Sequence, residues 1–161
     1  YRRIGDSDQA ILNYKKAYNT HQRIERLESS GWASINLADL YRNIKKWENA
    51  KRWYKKAALI GETAGEKTIQ AWALNGLGDI YSDRQGWARA LPFYLQAFSL
   101  RKQESDHSLV NSICNKLGYT YQKLTLFEDA LDYYRMALEL YKEDNNTQGI
   151  VWQHKTIAKL Y

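Results

Sequence analysis

One cysteine and one proline occur in 161 residues, and each scarcity closes a class of explanation. A single Cys rules out an internal disulfide and any zinc site built on two or more thiolates. It suits a reducing compartment, which leads us to expect a cytoplasmic protein. A single Pro disfavours loop-rich and sandwich folds and permits long helices. No run nears the ~18 uninterrupted apolar residues that a membrane span requires, so no membrane partner is expected. The three histidines, His21, His107 and His154, are widely separated along the chain, which is no metal-ligand spacing. Neither a phosphate loop nor a nucleophile elbow is present. The chain therefore reads as a non-enzyme with no cofactor and no metal.

What the chain has in plenty is aromatic surface: 13 Tyr and 6 Trp, within a hydrophobic share of 44%. Their placement is periodic. Tyr1, Tyr41, Tyr81, Tyr121 and Tyr161 recur at one constant interval, and so do Ala10, Ala50, Ala90 and Ala130. Tyr14, Tyr54, Tyr94 and Tyr134 keep the same spacing, as do Ala17, Ala57, Ala97 and Ala137. Leu37, Leu77, Leu117 and Ile157 form a fifth register, each followed by a small residue. Registers held through four periods without an insertion make the chain a tandem repeat.

Within one unit the spacing is helical. Leu74, Leu77, Gly78 and Tyr81 lie at i, i+3, i+4 and i+7, and Ala90, Tyr94, Ala97 and Phe98 make a second such stripe. The polar segment from Ser82 to Gly86 reads as a short turn between antiparallel helices. A small residue such as Gly78 or Ala38 lets the facing helix come close, with an aromatic ring of the second helix filling the space beside it. Each hairpin has more apolar face than it can bury alone, so neighbouring hairpins must stack.

These residues resemble the tetratricopeptide repeat: a large residue, then Leu-Gly, then Tyr, and later Ala and an aromatic. The pattern is carried by Leu74, Leu77, Gly78, Tyr81, Ala90 and Tyr94, and next by Cys114, Leu117, Gly118, Tyr121, Ala130 and Tyr134. Ser34, Leu37, Ala38, Tyr41, Ala50 and Tyr54 carry it in the unit before. Two features depart from the family. The closing Pro is replaced by Gln22, Glu62, Lys102 and Lys142, and the period, as from Tyr41 to Tyr81, is longer than the family's ~34 residues. The resemblance implies an all-α, right-handed superhelical solenoid of antiparallel helix hairpins. We expect residues 1–30 to hold a second helix, full repeats over 31–70, 71–110 and 111–150, and a first helix over 151–161. Neither end shows a polar cap. The sequence thus reads as a window on a longer array, and its uncapped ends make self-association an option.

The resemblance also implies that first helices line a concave groove for a protein or peptide. Trp32, Trp72 and Trp152 share one groove-side register, which Ser112 interrupts, and Trp side chains dominate binding hot spots. Asn75 and Asn115 match at one period, with Asn36 one place off. A row of side-chain amides can both donate to and accept from an extended peptide backbone. Asp39, Asp79 and Tyr119 form a further register with changing charge. Trp47, Trp53 and Trp87 border the Ala-Tyr stripe and read as packing residues. Units of this length are also similar to those of sensor arrays on bacterial signalling ATPases and of peptide-pheromone receptors. A regulatory module of a larger signalling protein is therefore the alternative reading.

The net charge of +6 raises a third reading. Lys45, Lys46, Lys51, Arg52, Lys55 and Lys56 cluster on one second helix and could meet phosphates on the convex side. Such a stripe is more commonly a solvated outer face, so nucleic acid ranks last.

Overall fold

A computed structural model describes residues 2–23, 26–101 and 107–160, and among them finds eight α-helices and no strand. They are α1 (Arg2–Arg23), α2 (Leu27–Asn43), α3 (Trp47–Ala64), α4 (Lys67–Asp83), α5 (Trp87–Arg101), α6 (His107–Lys123), α7 (Phe127–Glu143) and α8 (Thr147–Ala158). The registers at Tyr1 and Tyr161 and the departure at Lys102 lie outside the described residues. Most positions of the remaining registers lie in the core, whereas Tyr14 is exposed and Ala10, Ala17, Tyr81, Tyr121 and Ile157 are half-buried. Leu37, Ala38, Ala50, Ala57, Ala90, Ala97, Leu117, Ala130 and Ala137 are all buried, as are Tyr54, Tyr94 and Tyr134.

The helices end for a backbone reason that recurs at every described turn. Lys45, Gln85 and Thr125, which share one register, each adopt a left-handed conformation with φ of 60°, 58° and 61°. The following N–H then reaches back across the turn: Lys46 to the Tyr41 carbonyl at 2.9 Å, Gly86 to Tyr81 at 2.8 Å, and Leu126 to Tyr121 at 3.0 Å. The left-handed residue itself donates to the carbonyl of Arg42, Ser82 or Gln122. This pair of bonds is the Schellman closure, which satisfies carbonyls a helix end would otherwise leave open. Turns between hairpins use it too, with Gly65 (φ 72°) and Asn145 (φ 53°) as the left-handed residues. In the 82–86 turn the left-handed residue is thus Gln85 and not the glycine beside it.

The chain divides into two compact units, Tyr1–Ile80 and Tyr81–Tyr161. In unit 1, α1 packs on α2 and α2 on α3. Tyr18, Ala33 and Ile60 form a buried cluster with Ala17 and Trp53 against it, and the Tyr18 and Trp53 rings meet edge to face at 5.3 Å. Close backbone approach is decisive at Gly76 of α4. A Cβ there would fall 2.3 Å from the Tyr54 ring, well inside van der Waals contact.

In unit 2, α5 packs on α6, α6 on α7 and α7 on α8. Val110, Cys114 and Ala137 are its buried cluster, with Phe98, Tyr133 and Leu140 against it. Phe98 and Tyr133 meet edge to face at 5.7 Å, the same register pair as Tyr18 and Trp53 two periods on. Gly118 answers to the small-residue expectation: a Cβ there would lie 2.6 Å from the Tyr134 ring of the second helix. Cys114 is fully buried, and burial pushes its thiol up to about 12, so it behaves as a small apolar side chain.

Candidate functional site

Helix α6 carries the site because its polar residues share one face. Ser108, Asn111, Ser112, Asn115 and Tyr119 recur at helical spacing and line a hollow of about 620 Å³ in unit 2. Tyr94 of α5, Tyr141 of α7 and Asp144 and Asn146 of the following turn complete its walls. Two amides are ordered within it. Asn111 donates to the Ala137 carbonyl at 3.4 Å, which ties α6 to α7. The Asn115 amide donates to Asn111 Oδ1 at 3.0 Å and contacts the Tyr141 hydroxyl at 3.4 Å. Its own Oδ1 is buried and takes no hydrogen bond, so an acceptor remains for a donor that enters the hollow.

A second hollow of about 320 Å³ shares Asn115 and Tyr119 with the first. Its other walls are Gln122, Tyr134, Trp152, Thr156 and Lys159. Trp152 is 51% exposed and Tyr119 43%, a large apolar surface beside polar groups. Tyr119 is braced by two neighbours: Trp87 meets it edge to face at 5.4 Å, and Lys123 Nζ lies 5.2 Å from its centroid. Burial, with Tyr119 nearby, pushes the Tyr134 hydroxyl up to about 12. That hydroxyl stays protonated and donates to Gln122 Oε1 at 3.2 Å.

Of the residues singled out from sequence, three thus converge in unit 2: Asn115, Tyr119 and Trp152. The others lie in unit 1 and are placed differently. Asp39 accepts the hydrogen bond of the buried Tyr54 hydroxyl; burial, reinforced by this carboxylate, holds that hydroxyl above the usual phenol range. Asp79 is nearly buried and accepts from Arg42 Nη1 at 2.8 Å. Asn75 is buried, Asn36 is exposed, Trp32 is half-buried and Trp72 is 38% exposed. Asn111, Tyr141 and Asn146 escaped the sequence reading. For Asn111 the available signal was an Asn four residues before Asn115 on one helix face. Asn146 does local work as well, capping α8 by accepting from the Gly149 N–H at 2.9 Å.

The basic helix is partly engaged. Lys51 pairs with Glu48 at 2.6 Å, and Lys56 Nζ sits 4.3 Å from the Tyr18 centroid and 5.1 Å from that of Trp53. Among the described residues no group of three or more His, Cys, Asp or Glu is placed to hold a metal. None of the described helices is long and apolar enough to cross a membrane.

The sequence matches the profile of the tetratricopeptide repeat over residues 29–103 and again over 69–143. No curated protein matches it significantly. Solved structures share its fold at low identity. The crystal structure of BtubC (BKLC) from P. vanneervenii superposes with a TM-score of 0.76 at 18% identity, over 99% of this chain and 74% of that one. The N-terminal domain of stress-induced protein-1 from C. elegans gives 0.66 at 18% identity, over 83% and 96%. A Rap protein complexed with competence and sporulation factor gives 0.73 at 17% identity, over 99% of this chain and 44% of that one.

Proposed function

Since the chain belongs to the tetratricopeptide-repeat family, we propose that it is a non-catalytic scaffold that binds a protein or peptide. The all-α repeat array is a surface for protein interaction, and the ligand lies against the α6 face of unit 2. The observation that carries this reading is the convergence of Asn115, Tyr119 and Trp152 on two hollows that share walls. An extended peptide offers a backbone N–H to the open Asn115 Oδ1 and an apolar side chain to Trp152 and Tyr119. In unit 1, Trp32, Asn36 and Trp72 are the groove-side candidates of that unit in its own right. There Asp39 and Asp79 act indirectly, by holding Tyr54 and Arg42 in place.

A regulatory module of a larger protein is the second reading, favoured by the likeness to a Rap protein solved with a bound factor. Nucleic-acid binding through α3 is weakened by the engagement of Lys51 and Lys56. We read the location as cytoplasmic from the single Cys of the sequence, which suits a reducing compartment.

The experiment is capture of partners from the source lysate by the native chain and by the Asn115→Ala, Tyr119→Ala, Trp152→Ala variant. Both are first shown to share one helical circular-dichroism spectrum. A partner held by the native chain and lost at least tenfold by the variant supports the groove. A partner held equally by both removes it.

A further inference from the structure

On the other side of α6 from the groove, unit 2 has a third hollow, of about 680 Å³, and it is mostly apolar. Phe98, Val110, Cys114, Met136 and Leu140 line it, and Asp132, Arg135 and Glu139 stand at its rim. The corresponding place in unit 1 shows what such a recess accommodates. There Lys56 lays its ammonium over the rings of Tyr18 and Trp53, at 4.3 and 5.1 Å. Two periods on, the same rings are Phe98 and Tyr133, again edge to face, but the residue in the Lys56 register is Met136. Met136 carries no charge and is 47% exposed, so the ring pair keeps its negative π face without the cation that covers it in unit 1.

The rim changes in step. Arg52, Lys55, Lys56 and Leu59 in unit 1 become Asp132, Arg135, Met136 and Glu139 in unit 2, so three positive charges give way to one net negative charge. Asp132 lies 3.9 Å from Arg135, and Glu139 is 2.8 Å from Lys142. All four side chains are about half exposed or more, and pairs of that kind hold each other only weakly in water. Their carboxylates remain open to another cation.

We propose that this recess is a seat for a lysine side chain presented by a partner protein. The methylenes of that lysine lie on Val110, Met136 and Leu140, and its ammonium lies over Phe98 between Asp132 and Glu139. Lys56 places its ammonium over the matching rings within unit 1. The seat is separate from the α6 groove, and its test does not depend on groove binding.

The probe is a short helical peptide with one lysine flanked by leucines one turn away on each side, beside a twin with norleucine in place of lysine. Binding is read by fluorescence anisotropy against the full chain and against Met136→Lys, which supplies the missing cation from within. The lysine peptide is expected to bind the native chain at least tenfold tighter than its twin, and Met136→Lys to lose at least tenfold of that affinity. Asp132→Asn with Glu139→Gln serves as an independent variant, expected to lose three- to tenfold. Equal binding of the two peptides, no binding of either, or undiminished binding by Met136→Lys overturns the proposal. Sedimentation of the chain alone is the last arm. A concentration-dependent dimer abolished by Met136→Lys overturns it as well, by making a second copy the occupant.

Discussion

In unit 1 the second-helix tyrosine, Tyr54, gives its hydroxyl to Asp39. In unit 2 the matching tyrosine is Tyr134, and the register of Asp39 holds Tyr119. Tyr134 turns instead to Gln122, and Tyr119 faces open space between α6 and α8. Likewise Asp79 is tied to Arg42 in unit 1, whereas Asn115 keeps an unused acceptor in unit 2. The same backbone period thus ties Asp39 and Asp79 into internal bonds in unit 1, and in unit 2 leaves Tyr119 exposed and Asn115 Oδ1 without a hydrogen bond. The apolar frame repeats because each ring and each alanine fills a fixed volume. The polar registers drift because a surface position imposes no such demand.

The largest expected effect tests how rigid each frame is. Gly76→Ala pushes a methyl into the Tyr54 ring and Gly118→Ala into the Tyr134 ring, each costing about 1–3 kcal/mol. Because Asp39 pins Tyr54 and the Tyr134–Gln122 bond is the longer one, Gly76→Ala should lie at the upper end and Gly118→Ala at the lower. Urea titrations of the two variants check the order. Equal losses would mean that the two tyrosines yield alike.

Next comes the ion pair between Arg42 and Asp79 in unit 1. Arg42→Met takes this guanidinium from the Asp79 carboxylate, whose side chain is 12% exposed. The expected loss is about 1–2 kcal/mol. The Asn115→Ala variant in unit 2 removes a neutral amide with one ordinary bond to Asn111 and a long one to Tyr141, and should lose less than half of that by the same titration.

Turn chemistry gives a gain of similar size. Thr125 is β-branched and left-handed, a conformation that costs about 1–2 kcal/mol in a non-glycine residue. Thr125→Gly should therefore raise stability by about 1 kcal/mol, net of the extra freedom of the unfolded chain. Gly65→Ala, at the same kind of turn in unit 1, should lower it by a comparable amount. Thermal melts of the pair decide this, and a Thr125→Gly variant that melts lower would contradict the turn geometry.

The smallest effects concern single groups. Lys56→Met removes the cation from the Tyr18 and Trp53 rings and should cost about 0.5–1 kcal/mol. In unit 2, Cys114 should resist a thiol reagent at pH 8 in the native state. Its pKa is raised to about 12 by burial, so the reactive thiolate is scarce at every lower pH and appears on unfolding. Stoichiometric labelling of the folded chain at pH 8 would show that α6 opens.

The repeating frame was legible in the sequence because packing registers are periodic: Leu37 and Leu117, or Ala50 and Ala130, are interchangeable in the core. The site was legible only where it shared that period, as at Asn115 and Trp152. Tyr141 has Gly61 and Arg101 as its register mates, so no periodic reading could single it out. The burial of Asn75 and Asp79 was hidden for a related reason. Spacing places a residue on a helix face but does not say whether Arg42 arrives to cover it. Trp87 was read as packing, and its role as a brace for Tyr119 depends on a contact between helices that sequence spacing alone does not reveal.

One property of the turns reaches beyond stability. Lys, Gln, Thr, Gly and Asn all occupy the left-handed position, and the bonds that close each turn run between backbone atoms. The joints therefore act as interchangeable couplings whose geometry is indifferent to side chain. A hairpin joined at any of these described turns would meet the same backbone closure. Binding preference in such a protein can then change by exchanging whole hairpins, while the connections that hold them in line stay as they are.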